Sequence, residues 1–258
     1  TKVLNRLNFV SKNWNASMTS DFAKMSLSQL NRLAGRKSKG YPVNGPQRFS
    51  EKKARFTSKD LSHLPKEFSW EKEMPEAISQ GDCGSCYAIS SIQMVEARVK
   101  IKYQKDVKLS VQHVMDCSFY NQGCDGGYPY LVGKFGHDFN YVDEKCKPYT
   151  EKDGKCSSVC DFSDRTFMVK AKDYKYVGDR YAQSNEKNIM EEVQKNGPVV
   201  VDFEPDYLFM MYKDGVYHAI NDKEWLKSGE KKPEWLKVDH SVVLYGWGED
   251  EKEKYWLL

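Results

Sequence analysis

Gln80-Gly81-Asp82-Cys83-Gly84-Ser85-Cys86-Tyr87 is the most specific segment of this chain, and a helix follows directly from it. Ala88, Ile92, Val95 and Val99 are spaced by four, three and four, which predicts a helix from Cys86 to about Lys102 with one buried face. Cys86 then occupies the first turn, where unpaired backbone N–H groups and the helix dipole favour a thiolate, the competent nucleophile. Gln80 precedes a glycine-containing turn that can aim its side-chain amide back at the cysteine, as a donor to a developing oxyanion. The Cys86 N–H is the natural second donor. A buried structural thiol is the bland alternative, and the whole octet weighs against it.

A nucleophilic cysteine needs a base, and five histidines compete. His63 lies at a linker boundary, His113 on a short helix, and His137 in a charged, glycine-bearing stretch. His218 ends the strand-like Gly215-Val216-Tyr217. His240 differs because it opens an apolar strand, His240-Ser241-Val242-Val243-Leu244-Tyr245-Gly246-Trp247-Gly248. A rigid strand holds a general base better than a loop does, so His240 is the candidate base.

Composition fits a globular chain rather than a disordered one, at 40% hydrophobic and 30% charged. The net charge of +3 hides an asymmetry: residues 1–60 hold 13 Lys and Arg against 3 Asp and Glu, the remainder 27 against 34. A basic front segment can dock on the acidic body behind it. Nucleic-acid binding fits it less well, because its aromatics are sparse and not interleaved with the charge. No stretch approaches the ~20 apolar residues of a membrane-spanning helix. Seven cysteines (83, 86, 117, 124, 146, 156, 160) suggest paired cysteines plus one free thiol. Cys83-x-x-Cys86 has ligand-like spacing, but no second close pair of that kind and no His near Cys156 and Cys160 complete a zinc site, so no metal is expected. Asn15-Ala16-Ser17 is a glycosylation sequon, consistent with a secretory route. Thr1 is preceded by no initiator Met, and Leu258 falls inside a strand-like run, so both ends read as cut.

Residues 1–60 lack strand alternation. Leu27, Leu30 and Leu33 mark a short amphipathic helix closed by Gly35, and 35–46 reads as an exposed basic linker open to proteolytic nicking. Leu64-Pro65 opens the body. Its first half is helical and then rich in Cys, Gly and Tyr, with a short helix at Ser110–Cys117. Its second half has a helix at Glu186–Lys195, ended by Asn196-Gly197-Pro198, and strands at Val199–Phe203, Val242–Trp247 and Tyr255–Leu258. The change of texture predicts an α+β body of two subdomains with a cleft between them.

Gln80–Tyr87, Cys117…Cys124-Asp125-Gly126-Gly127, Asn196-Gly197-Pro198 and Asp239-His240-Ser241-Val242 resemble papain-family cysteine peptidases, in order and spacing from about Leu64 to Leu258. Tyr87 after the nucleophile, Gly126-Gly127-Tyr128-Pro129-Tyr130-Leu131 and Tyr176-Val177-Gly178 resemble the dipeptidyl-peptidase, cathepsin C-type branch. Trp14-Asn15-Ala16 and Leu27-Ser28-Gln29-Leu30 are similar to the end of its activation propeptide.

The resemblance implies a papain-like fold with a helical left half and a β-barrel-like right half lacking its last strands. Residues 1–62 would be propeptide and linker, and 63–258 the peptidase domain. It implies that Cys86 and His240 form an ion pair, with Gln80 and the Cys86 N–H as oxyanion donors. Gly127 would hold substrate backbone, Pro129 and Val238 would line the second substrate pocket, and Tyr130 with Tyr176 would bind chloride. Disulfides would join Cys83 to Cys124, Cys117 to Cys156 and Cys146 to Cys160. No catalytic cofactor is implied. Partners would be peptide or protein substrates, the chain's own propeptide, an N-terminal exclusion domain and further copies in a tetramer. The location would be lysosomal or secreted.

Two departures qualify this. The family's imidazole-orienting Asn, in a segment near Lys-Asn-Ser-Trp, falls beyond Leu258, and the exclusion domain falls before Thr1. The expectation is that this chain alone is poorly active. An endopeptidase of the same fold and an inactive homologue acting as a binding protein are the rival readings.

Overall fold

Two apolar cores divide the body along the predicted change of texture. The computed structural model describes residues 4–5, 7–8, 11, 13–18, 22–33, 61–157, 160, 166–181, 183–205, 207–219, 240–249 and 253–258. Val238 and the linker 35–46 lie outside the described residues. In chain order the elements are β1 (Trp14–Ala16), α1 (Leu27–Leu33), β2 (Phe68–Ser69), α2 (Cys86–Tyr103), α3 (Val111–Cys117), α4 (Pro129–Phe139), β3 (Tyr141–Val142) and β4 (Met168–Val169). They continue with α5 (Glu186–Asn196), β5 (Val199–Phe203), β6 (Tyr212–Gly215), β7 (His240–Leu244), β8 (Gly246–Glu249) and β9 (Lys254–Leu257).

The first core packs Tyr87, Ala88 and Ile92 of α2 against Val114, Val132 and Phe135 of α3 and α4. The second packs Met190 and Val193 of α5 against Val199, Leu244 and Trp247. α2 lies between them, touching α3 and α4 on one side and β5 and β7 on the other. Its first eight residues, Cys86–Gln93, are therefore buried all round, while Val95 and Val99 are only half-buried. The single buried face expected for this helix is thus corrected. Its serines survive burial because Ser90 Oγ donates to Cys86 O (2.7 Å) and Ser91 Oγ to Tyr87 O (2.6 Å). The other helices start where the sequence supplies caps. Ser110 Oγ accepts from His113 N at 2.9 Å, Asn185 Oδ1 accepts from Asn188 N at 2.9 Å, and Pro129 opens α4.

β5 and β7 run antiparallel, with Val199 opposite Leu244 and Phe203 opposite His240. The run Val242–Trp247, expected as one strand, is two. At Tyr245 the chain changes partners, because β7 pairs with β5 whereas β8 pairs with β2 and β9. Tyr245 bonds outward on both sides, its N–H to Leu257 O and its carbonyl from Trp70 N, each at 3.0 Å. The strand expected at Gly215–Tyr217 instead ends at Gly215.

The front segment contains a strand that its sequence does not announce. β1 pairs antiparallel with β6, Trp14 opposite Gly215, and Leu7 and Trp14 bury against Leu208 and Met211. Three residues are too few to display an alternation, so the pairing is a tertiary choice. In α1 the sequence is explicit: Ser26 N donates to Gln29 Oε1 (2.9 Å) and Gln29 N to Ser26 Oγ (3.3 Å), a capping box. Leu30 and Leu33 are buried, as their spacing predicts.

Candidate active site

Six cysteines are paired, Cys83–Cys124, Cys117–Cys156 and Cys146–Cys160, in the arrangement that the resemblance implies. Cys86 alone is free. It is the first residue of α2 and is 6% exposed. The loop that delivers it is fixed from several sides. The Cys83–Cys124 bridge and the Gly84 N–H to Cys124 O bond (3.0 Å) hold its backbone. A Cβ on Gly84 would come within 2.6 Å of Cys124 O, so a larger residue would push the loop away. Ser85, at the N-cap, does not cap the helix with its side chain. Its hydroxyl instead bonds the Tyr149 phenol oxygen (2.6 Å), and Tyr149 donates onward to Gln80 O (2.8 Å). Gln80 Nε2 donates to Cys83 O at 3.1 Å. One of its two amide protons is engaged there, and the second is available to a substrate oxygen.

Cys86, Gln80 and His240 line one cavity of about 460 Å³, together with Ser241, Ser90 and Gln93. The other four histidines do not line it. His63 pairs with Glu191 (3.0 Å), His137 with Asp138 (2.9 Å) and His218 with Glu253, while His113 packs against the Phe135 ring at 5.4 Å. His240 is the first residue of β7, as expected for a base mounted on a strand. Its Nδ1 is buried without a hydrogen-bond partner among the described residues.

Burial sets the protonation of both groups. It holds the His240 imidazole at about 4, so the ring is neutral. It pushes the Cys86 thiol up, opposed by the Ser241 backbone N–H that bonds the sulfur and reinforced by the Asp202 charge. Burial thus works against the charged form of each group, and so against the ion pair that the resemblance implies. The arrangement can still do nucleophilic chemistry, since a neutral imidazole is the form that accepts a thiol proton.

Gly127 is tied to the nucleophile through Tyr87, whose ring a Cβ at Gly127 would meet at 2.5 Å. Pro129, Tyr130 and Tyr176 belong to a second cavity of about 460 Å³, shared with Tyr174, Val200 and Asp202. The Tyr130 and Tyr176 rings stack with centroids 4.4 Å apart and 7° between planes. They are poorly suited to chloride. Two phenols can donate to an anion, but the Asp202 carboxylate shares their cavity, and its charge raises Tyr176 along with burial. No group of three or more metal-ligating side chains occurs among the described residues, and none of their helices is long and apolar enough to cross a membrane. Asn15 is exposed on β1, its amide donating to Asp214.

The sequence assigns no role at the site to Ser241, Asp202 or Tyr149. Ser241 was legible only as the neighbour of His240. Tyr149 lies over sixty residues from the loop it braces and carries no local signal.

A two-core body, a free cysteine heading the central helix and a histidine opening the facing strand define a cysteine peptidase architecture. The family model for papain family cysteine proteases matches residues 64–258, and the chain belongs to that family. Among curated relatives, cathepsin C of Schistosoma mansoni is 35% identical over 97% of this chain and 56% of its own length. Dipeptidyl aminopeptidase 1 of Plasmodium falciparum is 28% identical over 77% of this chain and 40% of its own length. The chain thus spans about half the length of these relatives. Procathepsin B S9 of Trypanosoma congolense shares the fold, with a TM-score of 0.74 at 20% identity, covering 99% of this chain and 85% of that one.

Proposed function

We propose that the parent protein is a thiol peptidase that releases dipeptides from peptide N-termini, with Cys86 as nucleophile and His240 as general base. The observation that carries this is the meeting of Cys86, His240 and Gln80 in one cavity. His240 takes the thiol proton as Cys86 Sγ attacks the scissile carbonyl carbon. Gln80 and the Cys86 N–H receive the oxyanion. The carbon–nitrogen bond breaks as the imidazolium returns the proton to the departing amine. Water, deprotonated by His240, then cleaves the thioester and restores the thiol. The dipeptidyl step is supported by the similarity to cathepsin C and to dipeptidyl aminopeptidase 1.

Residues 1–62 act in this reading as an inhibitory propeptide on the peptidase domain 63–258. The β1–β6 pair anchors it, and Arg32 of α1 forks onto both Asp82 oxygens at 2.8 Å, two residues from Gly84. An exclusion domain outside these residues, a tetrameric assembly, Asn15 glycosylation and a lysosomal or secreted location belong to the same proposal. No step runs through chloride.

The test is product analysis by mass spectrometry of the processed full-length protein acting on one peptide with a free and with an acetylated N-terminus. Dipeptides from the free form alone are expected. Internal fragments from both forms would replace the reading with an endopeptidase, and no cleavage with Cys86 unreactive would replace it with an inactive binding homologue.

A further inference from the structure

Asp153 is exposed and lines neither of the two cavities, yet its carboxylate holds a peptide unit that packs beside the nucleophile. The Gly123–Cys124 peptide is gripped at both ends. Its N–H donates to Asp153 Oδ1 at 2.7 Å. Its carbonyl accepts from the Tyr87 phenol at 3.1 Å and from Gly126 N at 3.3 Å, and the second bond closes the turn that leads into Gly127. Burial above all, with the Asp153 charge among the lesser causes, pushes the Tyr87 phenol up, so it stays a donor. Gly123 stands at φ +56°, in the left-handed region that glycine enters freely. The same freedom lets a glycine adopt other conformations as readily, so outside contacts must fix this peptide.

The carboxylate is itself held from behind. Lys152 O accepts from Gln112 Nε2 and Gly154 N donates to Asp116 Oδ1, each at 2.8 Å, so the residues on both sides of Asp153 are tied to α3. Gln112 is buried, and Asp116 also pairs with Lys147 at 2.7 Å. A side chain mounted on backbone that is locked in this way is a preorganised acceptor. The nucleophile loop does not depend on it, because Gly84 N bonds Cys124 O and the Cys83–Cys124 bridge holds the same residue from the other side. Losing the carboxylate therefore loosens the Gly123–Gly127 turn without releasing Cys86.

We propose that Asp153 is a positioning residue for peptide binding: by fixing the Gly123–Cys124 peptide it sets the place of Gly127, which receives substrate backbone. The inference rests on the peptidase reading of Cys86 and His240 with Gly127 as a backbone contact, and it adds a residue outside the cleft to that site.

The processed full-length protein is compared with its Asp153→Ala and Asp153→Asn variants on two substrates. One is a fluorogenic dipeptide amide with a free amino end. The other is p-nitrophenyl acetate, whose acetyl group acylates Cys86 but has no backbone to reach Gly127. Asp153→Ala is expected to raise KM for the dipeptide about 5-fold, the effect of one lost hydrogen bond, with kcat changed by less than about 2-fold. Acylation by p-nitrophenyl acetate should keep its wild-type rate, and Asp153→Asn, which retains an acceptor oxygen, should restore most of the KM. An unchanged KM in Asp153→Ala would overturn the proposal. So would equal losses on both substrates, which would mark a general structural effect, or an Asp153→Asn variant as impaired as Asp153→Ala. Amide hydrogen exchange gives a readout that needs no turnover: the Cys124 N–H is protected in wild type and exchanges faster in Asp153→Ala, and equal exchange would contradict the contact. Faster exchange in a protein that cleaves no peptide and leaves Cys86 unlabelled would overturn the peptidase reading, and the binding role with it.

Discussion

The Tyr149 phenol donates to the Gln80 carbonyl at 2.8 Å, tying the candidate oxyanion donor to a residue from a distant loop. The same oxygen bonds Ser85 at the head of α2, so one side chain sets the spacing between Gln80 and Cys86. Tyr149→Phe leaves the half-buried Gln80 carbonyl and the Ser85 hydroxyl short of a partner. A stability loss of about 1–2 kcal/mol is expected, with kcat lowered more than KM is raised. Urea unfolding and steady-state kinetics on the processed protein check both. An unchanged kcat at normal stability would deny Tyr149 its positioning role.

Glu96, 5% exposed on α2, accepts from Leu109 N at 2.6 Å and is raised from 4.5 to about 7, chiefly by burial. The folded state therefore binds a proton that the unfolded state has released. The contribution is fully present below about 4.5 and is lost as pH rises through 7, a difference on the order of 3 kcal/mol. His240 runs the opposite way, because its folded value is depressed and its contribution is lost as pH falls from 6.5 to 4. Glu96→Gln, which keeps the acceptor but not the titration, isolates the first effect. Its stability relative to wild type should rise between pH 4.5 and 7.5 in chemical unfolding, and a constant difference would refute the assignment.

Asp82→Asn removes the fork with Arg32. Both side chains are about half exposed, so the pair contributes on the order of 0.2–1 kcal/mol. Propeptide release should quicken by no more than about 5-fold, an effect that fades in high salt. A time course of processing by gel, at two salt concentrations, measures it.

Gly127→Ala places a Cβ 2.5 Å from both Asn121 Oδ1 and the Tyr87 ring. Tyr87 is buried and donates to Gly123 O at 3.1 Å, so it has little room to yield. A loss of about 1–3 kcal/mol in thermal stability is expected from this overpacking, together with weaker substrate binding. A variant as stable as wild type would show that the loop relaxes freely.

The octet before α2 and the strand after His240 were legible because each couples a rare residue set to a clear periodicity. The division into two cores followed from the change of texture. What was hidden depends on distant packing. α2 looked one-faced because its spacing cannot reveal that β7 covers the other side, where Ser90 and Ser91 satisfy themselves on their own helix. β1 is too short to show a pattern. Asp202 reads as the polar end of the run Val199–Phe203, and its placement between the tyrosine cavity and Ser241 comes from β5–β7 register alone. The burial of Cys86 and His240, which works against the charged form of each, is also set by tertiary packing and has no local signal.

The central claim is that Cys86 is activated by His240. The most direct test treats the processed full-length protein with an epoxide selective for activated thiols and locates the adduct by peptide mass spectrometry. The account predicts a single adduct on Cys86 that disappears in a folded His240→Ala variant. An adduct that persists at the same rate without His240, or none at all on folded protein with its three disulfides formed, would contradict it.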